Sequence, residues 1–284
     1  MKFIICLLTF MSCVYLSQAQ IVTDRPDATE SAVTVPEGRV QIESGSAYEE
    51  YGDITGNSRI GIPMGLLRYG FNEDFEIRFA SDFQLFSNPV FEKSITYLPI
   101  QLGFKFSLFK ENGIVPDLAF LSHYSIEYSD LIGTYSFSEK TEPKLEFEKA
   151  GNYLDQSFDI RIAFAYTLPF NLSFGGNLGT VVWTKPDDEN KDIMMKTDAR
   201  YFDLYQWTAN LEYSALDNLA FYSELFGDFN SDEARTDLNV GIKFLATQNM
   251  QLDAFYIKVL SLPDSEIMND DYYQFGFGFS YLWN

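Results

Sequence analysis

The sequence predicts an all-β chain, a transmembrane antiparallel up-and-down β-barrel of 12 strands with short periplasmic turns and longer extracellular loops. Three observations predict it. The chain closes on "YYQFGFGFSYLWN", where Tyr273, Phe275, Phe277, Phe279, Tyr281 and Trp283 alternate with Gln274, Gly276, Gly278, Ser280 and Leu282. An extended strand puts those six rings on one face and mostly small or polar groups on the other. Segments with the same period of two recur along the chain at about ten residues each, the length a tilted strand needs to cross the hydrocarbon core. The connections between them alternate between short and long, as in outer-membrane barrels. An apolar face turned outward suits lipid, where only a closed sheet can span because unpaired backbone groups are not tolerated.

The N-terminus reads as an export signal, residues 1–19. Lys2 supplies the positive end, the run from Phe3 to Leu16 is apolar, and Ser17-Gln18-Ala19 offers a cleavage site before Gln20. Lipoprotein processing at Cys13 is the lesser alternative. Both cysteines, Cys6 and Cys13, lie in this segment, so the mature chain has neither disulfides nor thiol chemistry. No later stretch is apolar for the roughly 18 residues of a spanning helix.

Residues 20–38 form an N-terminal periplasmic segment and residues 39–284 the barrel. The first spanning strand is Val40 to Tyr51. Arg59 to Tyr69 follows, where Ile60, Ile62, Met64 and Leu66 share a parity with Arg68, so the apolar face must switch through a bulge near Pro63 or Gly65. That switch leaves Arg68 inside and Tyr69 at the interface. "FEIRFASDFQLF" is the clearest strand, with Phe75, Ile77, Phe79, Phe83 and Leu85 opposite Glu76, Arg78, Ala80, Asp82 and Gln84. Leu98 to Leu108, Leu118 to Tyr128, Phe158 to Leu168, Leu172 to Val182 and Tyr205 to Tyr213 continue the series. Leu219 to Phe229, Leu238 to Ala246, Gln251 to Leu260 and the terminal strand complete twelve, an even number as bacterial barrels require.

"GFNED", "FKENGIV", "PFN", "ALDN" and "TQN" are the tight connections, and the intervening ones run to the 28 residues of "SDLIGTYSFSEKTEPKLEFEKAGNYLDQ". Short turns face the periplasm and long loops the exterior. Acidic residues outnumber basic ones 41 to 20, a net charge of −21, which excludes nucleic acid as a partner because its phosphates are bound by Lys and Arg.

Within the N-terminal segment, Thr23-Asp24-Arg25-Pro26-Asp27, Thr29-Glu30-Ser31, Val35-Pro36, Gly38-Arg39, Gln41, Glu43 and Gly45 form a pattern that barrel physics alone does not demand. Together with "LLRYG" (66 to 70), "EIR" (76 to 78), "GFK" (103 to 105) and "QLD" (251 to 253), it resembles the outer-membrane family "putative MetA-pathway of phenol degradation". The resemblance implies a small outer-membrane barrel of transporter type that passes hydrophobic or aromatic compounds. Separately, Gln274, Gly276, Phe279 and Tyr281 resemble the sorting signal by which outer-membrane barrels reach their assembly machinery, although Asn284 follows the final aromatic residue.

The candidate lumen and plug residues are Asp24, Arg25, Asp27, Glu43, Arg68, Glu76, Arg78, Lys105, Arg161, Glu212 and Asp253. Facing lipid at midplane, each Arg or Lys would cost roughly 2–4 kcal/mol; facing a wet or mutually paired interior it costs little. The segment bearing Asp24, Arg25 and Asp27 is expected to enter the periplasmic mouth and pair with the inward charges as a plug or brace; the bland reading is a solvated leader. Tyr222 and Phe226 also point inward.

His123 shares a face with Ser125 and Glu127, so a lipid hydrolase is conceivable, yet that parity turns it away from lipid. Asp228, Asn230 and Asp232 copy three calcium-loop positions, but Glu233 and Asn239 break the pattern. No cofactor or metal site is expected. The favoured function is a non-enzymatic passive channel in the outer membrane for small molecules. The alternative is a non-conducting structural or adhesion barrel acting through loops 129 to 155 and 184 to 200. Outer-membrane lipid, lipopolysaccharide and the assembly machinery are the expected partners, and the permeant is unknown.

Overall fold

The computed structural model describes residues 21–51, 58–87, 93–97, 100–128, 132–136, 144–148, 154–186, 197–230, 234–261 and 272–283. Its wall is built from β1 (Val40–Tyr51), β2 (Ser58–Asn72), β3 (Phe75–Ser87), β5 (Ile100–Phe109), β6 (Asp117–Tyr128) and β9 (Leu154–Leu168). It continues through β10 (Leu172–Pro186), β11 (Thr197–Leu216), β12 (Leu219–Phe229), β13 (Ala234–Thr247), β14 (Met250–Ser261) and β15 (Tyr272–Trp283). Each of these strands pairs antiparallel with the wall strand before and after it, and β15 returns to β1 with Val40 opposite Trp283. The ring of twelve is closed. Backbone N–H and C=O groups are thereby satisfied laterally, the condition for a sheet to stand in hydrocarbon.

Alternation sorts the two faces. On β15, Phe275, Phe277 and Phe279 point outward and exposed, Phe277 at 66%, while Ser280 and Leu282 are buried inside. On β3, Ile77 and Phe79 are exposed and Glu76 and Arg78 buried. The interior is therefore mostly polar, with small apolar clusters such as Ala47, Tyr222, Phe255 and Ile257.

β2 reaches its inward arginine through an irregularity. Its register against both neighbours shifts between Gly61 and Met64, around Pro63. Gly61 faces Ala47 before the shift and Leu66 faces Glu43 after it, so Leu66 and Arg68 turn inward while Leu67 and Tyr69 are exposed. Pro63 cannot donate to a ladder and fits where the ladder is broken.

Three further strands lie in stretches that read as loops. The inner half of β3, Phe75 to Ala80, pairs with β5, but Phe83 to Phe86 pair with β4 (Lys93–Tyr97). From there β4 pairs with β7 (Ile132–Ser136), and β7 with β8 (Lys144–Glu148). Five-residue strands outside the hydrocarbon need no apolar alternation, so they leave little periodic trace in the sequence.

Candidate functional site

Residues 21 to 36 lie inside the barrel as a loop that enters and leaves by the short-turn mouth. Its ends are tied there. The Ile21 N–H donates to the Gln248 carbonyl at 3.4 Å, Thr34 Oγ1 to the Glu73 carbonyl at 2.8 Å and the Gly38 N–H to the Gly70 carbonyl at 2.8 Å. Ile21, Val35 and Leu282 form a small apolar foot. Gly70 is required by close approach, since a Cβ there would overlap the Val35 and Pro36 carbonyls.

Arg68, fully buried, binds the two legs of the loop together. Its Nη1 donates to the Val22 carbonyl and its Nη2 to the Val33 carbonyl, each at 3.1 Å. The same guanidinium donates to Glu43 and twice to Glu76, all at 2.9 Å. Glu76 and Glu43 in turn accept from the loop backbone, from the N–H of Val35 at 2.7 Å and of Asp24 at 3.0 Å. Wall and loop thus share one hydrogen-bonded network.

Asp24 sits at its centre, 2.6 Å from Arg78 Nη1, 3.0 Å from Lys105 Nζ and 3.3 Å from Arg68 Nη1. Burial alone would raise its carboxyl, but Arg68, Lys105 and Arg78, with the Ser31 N–H, hold it well below the ordinary carboxylate range. Arg78 also donates to Glu30, to Glu76 and, through Nε, to His123 Nε2 at 3.0 Å.

The tip of the loop is held from the opposite wall. The N–H groups of Ala28 and Thr29 donate to the two Glu224 oxygens at 2.8 and 2.7 Å. Asn177 exchanges hydrogen bonds of 2.7 and 2.9 Å with the Glu30 backbone. Asp27 accepts from Asn210 at 2.8 Å and lies 3.1 Å from Lys243, which also donates to Glu212 at 2.9 Å. Burial pushes the Asp27 carboxyl up to about 7, with Lys243 pulling down and Glu224 pushing up. Arg25, joined to Pro26 by a cis peptide bond, lies along the wall with Nη2 at 3.6 Å from Asp253.

Of the residues singled out by sequence, Asp24, Arg25, Asp27, Glu43, Arg68, Glu76, Arg78, Lys105 and Asp253 meet in or beside the loop. Glu212 reaches it through Lys243. Arg161 is spent on Asp159, two residues away on its own strand. Parity puts Glu224 on the face of Tyr222 and Phe226, and Lys243 on that of Asn239, so both were readable as inward. Nothing local marks Asn177, Asn210 or Glu30 as partners of distant chain.

Among the described residues no hydrogen bond joins His123 to Ser125, and His123 Nε2 is taken by Arg78. Asp232 and the export signal expected at 1–19 lie outside the described residues, as do most of loops 129 to 155 and 184 to 200. Among the described residues no group of three potential ligands could hold a metal ion. In the terminal pattern, Phe279 is exposed outward and Gly276 lies beneath the Phe255 ring.

A family model described as "Putative MetA-pathway of phenol degradation" matches residues 23–263. No curated protein matches the chain in sequence. Among solved structures, an outer membrane channel from Pseudomonas putida F1 is 10% identical, with a TM-score of 0.57 over 89% of this chain and 98% of that one. The NanC porin is 8% identical, with a TM-score of 0.51 over 84% and 98%. The β domain of the Bordetella autotransporter Brka is 10% identical, with a TM-score of 0.50 over 85% and 98%. At such identities the likeness shows a shared barrel fold and nothing finer.

Proposed function

Since the chain belongs to the family described as "Putative MetA-pathway of phenol degradation", we propose that it is a passive outer-membrane channel for small molecules, closed by residues 21 to 36. The observation that carries this reading is how the lumen is filled. A loop of the chain's own N-terminal segment occupies it, held by polar contacts to a polar wall. Arg68, Arg78, Lys105, Glu43, Glu76 and Glu224 are buried, and each of them makes a hydrogen bond or ion pair with the loop. With the loop withdrawn they would line a bore that water enters readily, since charges are stable there only hydrated or paired.

The contrary observation is that the same network, fully engaged, leaves the barrel shut, as a structural or adhesion barrel would be. Bilayer recordings separate the two. The full-length protein is expected to stay mostly closed with brief openings, and a variant lacking residues 21–36 to conduct continuously. A deletion variant that is folded, with its heat-dependent gel shift intact, yet conducts no more than the full chain, would leave the structural role standing.

A further inference from the structure

Between residues 22 and 35 no main-chain group hydrogen-bonds to another main-chain group among the described residues. A buried segment normally meets that demand with its own turns or a strand ladder. Here the side chains of the wall meet it. Glu43 accepts from the Asp24 N–H, Glu76 from that of Val35, and Glu224 from those of Ala28 and Thr29. The Val22 carbonyl takes donors from Gln41 and Arg68, and the Val33 carbonyl a second donor from Arg68.

Asn177 makes the most specific of these contacts. Its carboxamide oxygen accepts from the Glu30 N–H at 2.7 Å, while its Nδ2 donates to the carbonyl of the same residue at 2.9 Å. That two-point match fits the N–H and C=O of one peptide residue and ignores its side chain.

We infer that the bore is a binding site for short, extended, acidic peptides, which residues 22 to 35 fill as a tethered stand-in. The inference rests on the channel reading for the route by which a free peptide arrives, and it names the class of solute with which the loop competes.

The side chains say which peptides. The three acids of the stretch, Asp24, Asp27 and Glu30, recur at every third residue. Each meets a wall cation: Asp24 lies against Arg78 and Lys105, Asp27 against Lys243 and Glu30 against Arg78. The one cation of the stretch, Arg25, faces Asp253. Beyond the last acid, Ala32 is buried against Ala119, Leu121 and Ala163. A bulky residue there would overpack the contact, so the seat takes acids at fixed spacing followed by a small side chain. Main-chain recognition covers the rest of the peptide and leaves its sequence free.

The test is fluorescence anisotropy of a labelled synthetic peptide corresponding to residues 21–36, titrated with the full-length protein in lipid nanodiscs. The tether gives the loop an effective concentration on the order of millimolar. The parent should therefore bind free peptide at least about tenfold more weakly than full-length Asp24→Ala, which weakens its own loop and keeps the wall whole. Thr29→Pro removes the N–H and the hydroxyl that reach Glu224 and serves as an independent second variant. An alanine-rich peptide that keeps the three acids at their spacing should bind within about tenfold of the native peptide. N-methylation of the Ala28 and Thr29 amides should weaken binding about tenfold or more, because each loses a hydrogen bond to a carboxylate.

Four results would overturn the assignment. They are two folded variants that bind no more peptide than the parent, an N-methylated peptide that binds as well as the native one, an alanine-rich peptide that does not bind, and displacement at equal concentration by trigalacturonate. The last carries three carboxylates and no amide, so its success would mean a site for polyanions in general. Because binding is read without a current, it can succeed where deletion of 21–36 fails to open a pore, and fail where that deletion succeeds.

Discussion

Gly45 and Gly278 face each other across the seam between β1 and β15, and the guanidinium of Arg25 lies on both. A Cβ on either would overlap Arg25 Nη2. Asp253 is the next residue along the same row, paired with Gly278, and its carboxylate faces Nη2. Two glycines and an aspartate thus make a seat for the arginine of the loop.

Gly45→Ala should destabilise the barrel by about 1–3 kcal/mol, the usual range for overpacking. The Phe277 carbonyl also approaches Gly45, so the part due to Arg25 must be isolated. In an Arg25→Ala background the same substitution should cost about 1 kcal/mol less, a coupling within reach of a double-mutant cycle in urea. Equal cost in both backgrounds would mean that the glycine serves only the strand pairing.

Arg68→Met should release the loop. It removes both ties to the Val22 and Val33 carbonyls and leaves Glu43 and Glu76 buried without their nearest cation, a loss of about 3–5 kcal/mol for a broken buried pair. Only Cys6 and Cys13 occur in the sequence, so with both replaced by serine a Thr29→Cys probe reports loop exposure without interference. Maleimide should label it slowly in the parent and markedly faster with Arg68→Met. Equal rates would show that Arg68 does not retain the loop.

The barrel was legible because lipid imposes the same demand on every strand. Phe75, Ile77 and Phe79 opposite Glu76 and Arg78 carry enough contrast to set both the strand and its facing. Even the bulge near Pro63 follows from Leu66 and Arg68 sharing a parity. The pairing of β4 with β7 lies beyond that demand and left no such mark. In the lumen, parity marked the charges of β1 to β5 as inward, but facing inward does not select a partner. Arg161 found Asp159 beside it, while Asp27 found Lys243, 216 residues on. Those choices follow from where the loop tip rests, which no local spacing encodes.

Docking of the loop should weaken as pH rises from about 4 to about 7. Asp27, 3.8 when unperturbed and about 7 when docked, binds its proton more tightly in the closed state. Ionisation therefore favours release, and the penalty is complete above the docked value. The groups around it are Lys243 on β13, Glu224 on β12 and Asn210 and Glu212 on β11, with Lys243 shared between Asp27 and Glu212. Asp24 has the opposite sign, because its depressed value keeps its contribution until strongly acidic pH. Open probability in bilayers should increase from pH 5 to pH 8 and lose that slope in Asp27→Asn. A slope unchanged in the variant would assign the titration to another group.

The outward stripe of the last strand carries the most basic expectation. Phe277 lies at the middle of β15 (Tyr272–Trp283) and is 66% exposed, which in water would be a liability and in hydrocarbon is a gain. Phe277→Arg should therefore destabilise the folded barrel by about 2–4 kcal/mol in lipid vesicles, the penalty for a cation at midplane, while Phe277→Leu stays near neutral. The adjacent inward positions Gly276 and Gly278 are closed by Phe255 and Arg25, so the arginine has no route into the lumen to escape that penalty. Snorkelling along the outside is limited by distance, since about half of the strand lies on either side. If Phe277→Arg unfolds at the same urea concentration as the parent, the face that bears these rings does not meet hydrocarbon, and the orientation of every strand would have to be reversed.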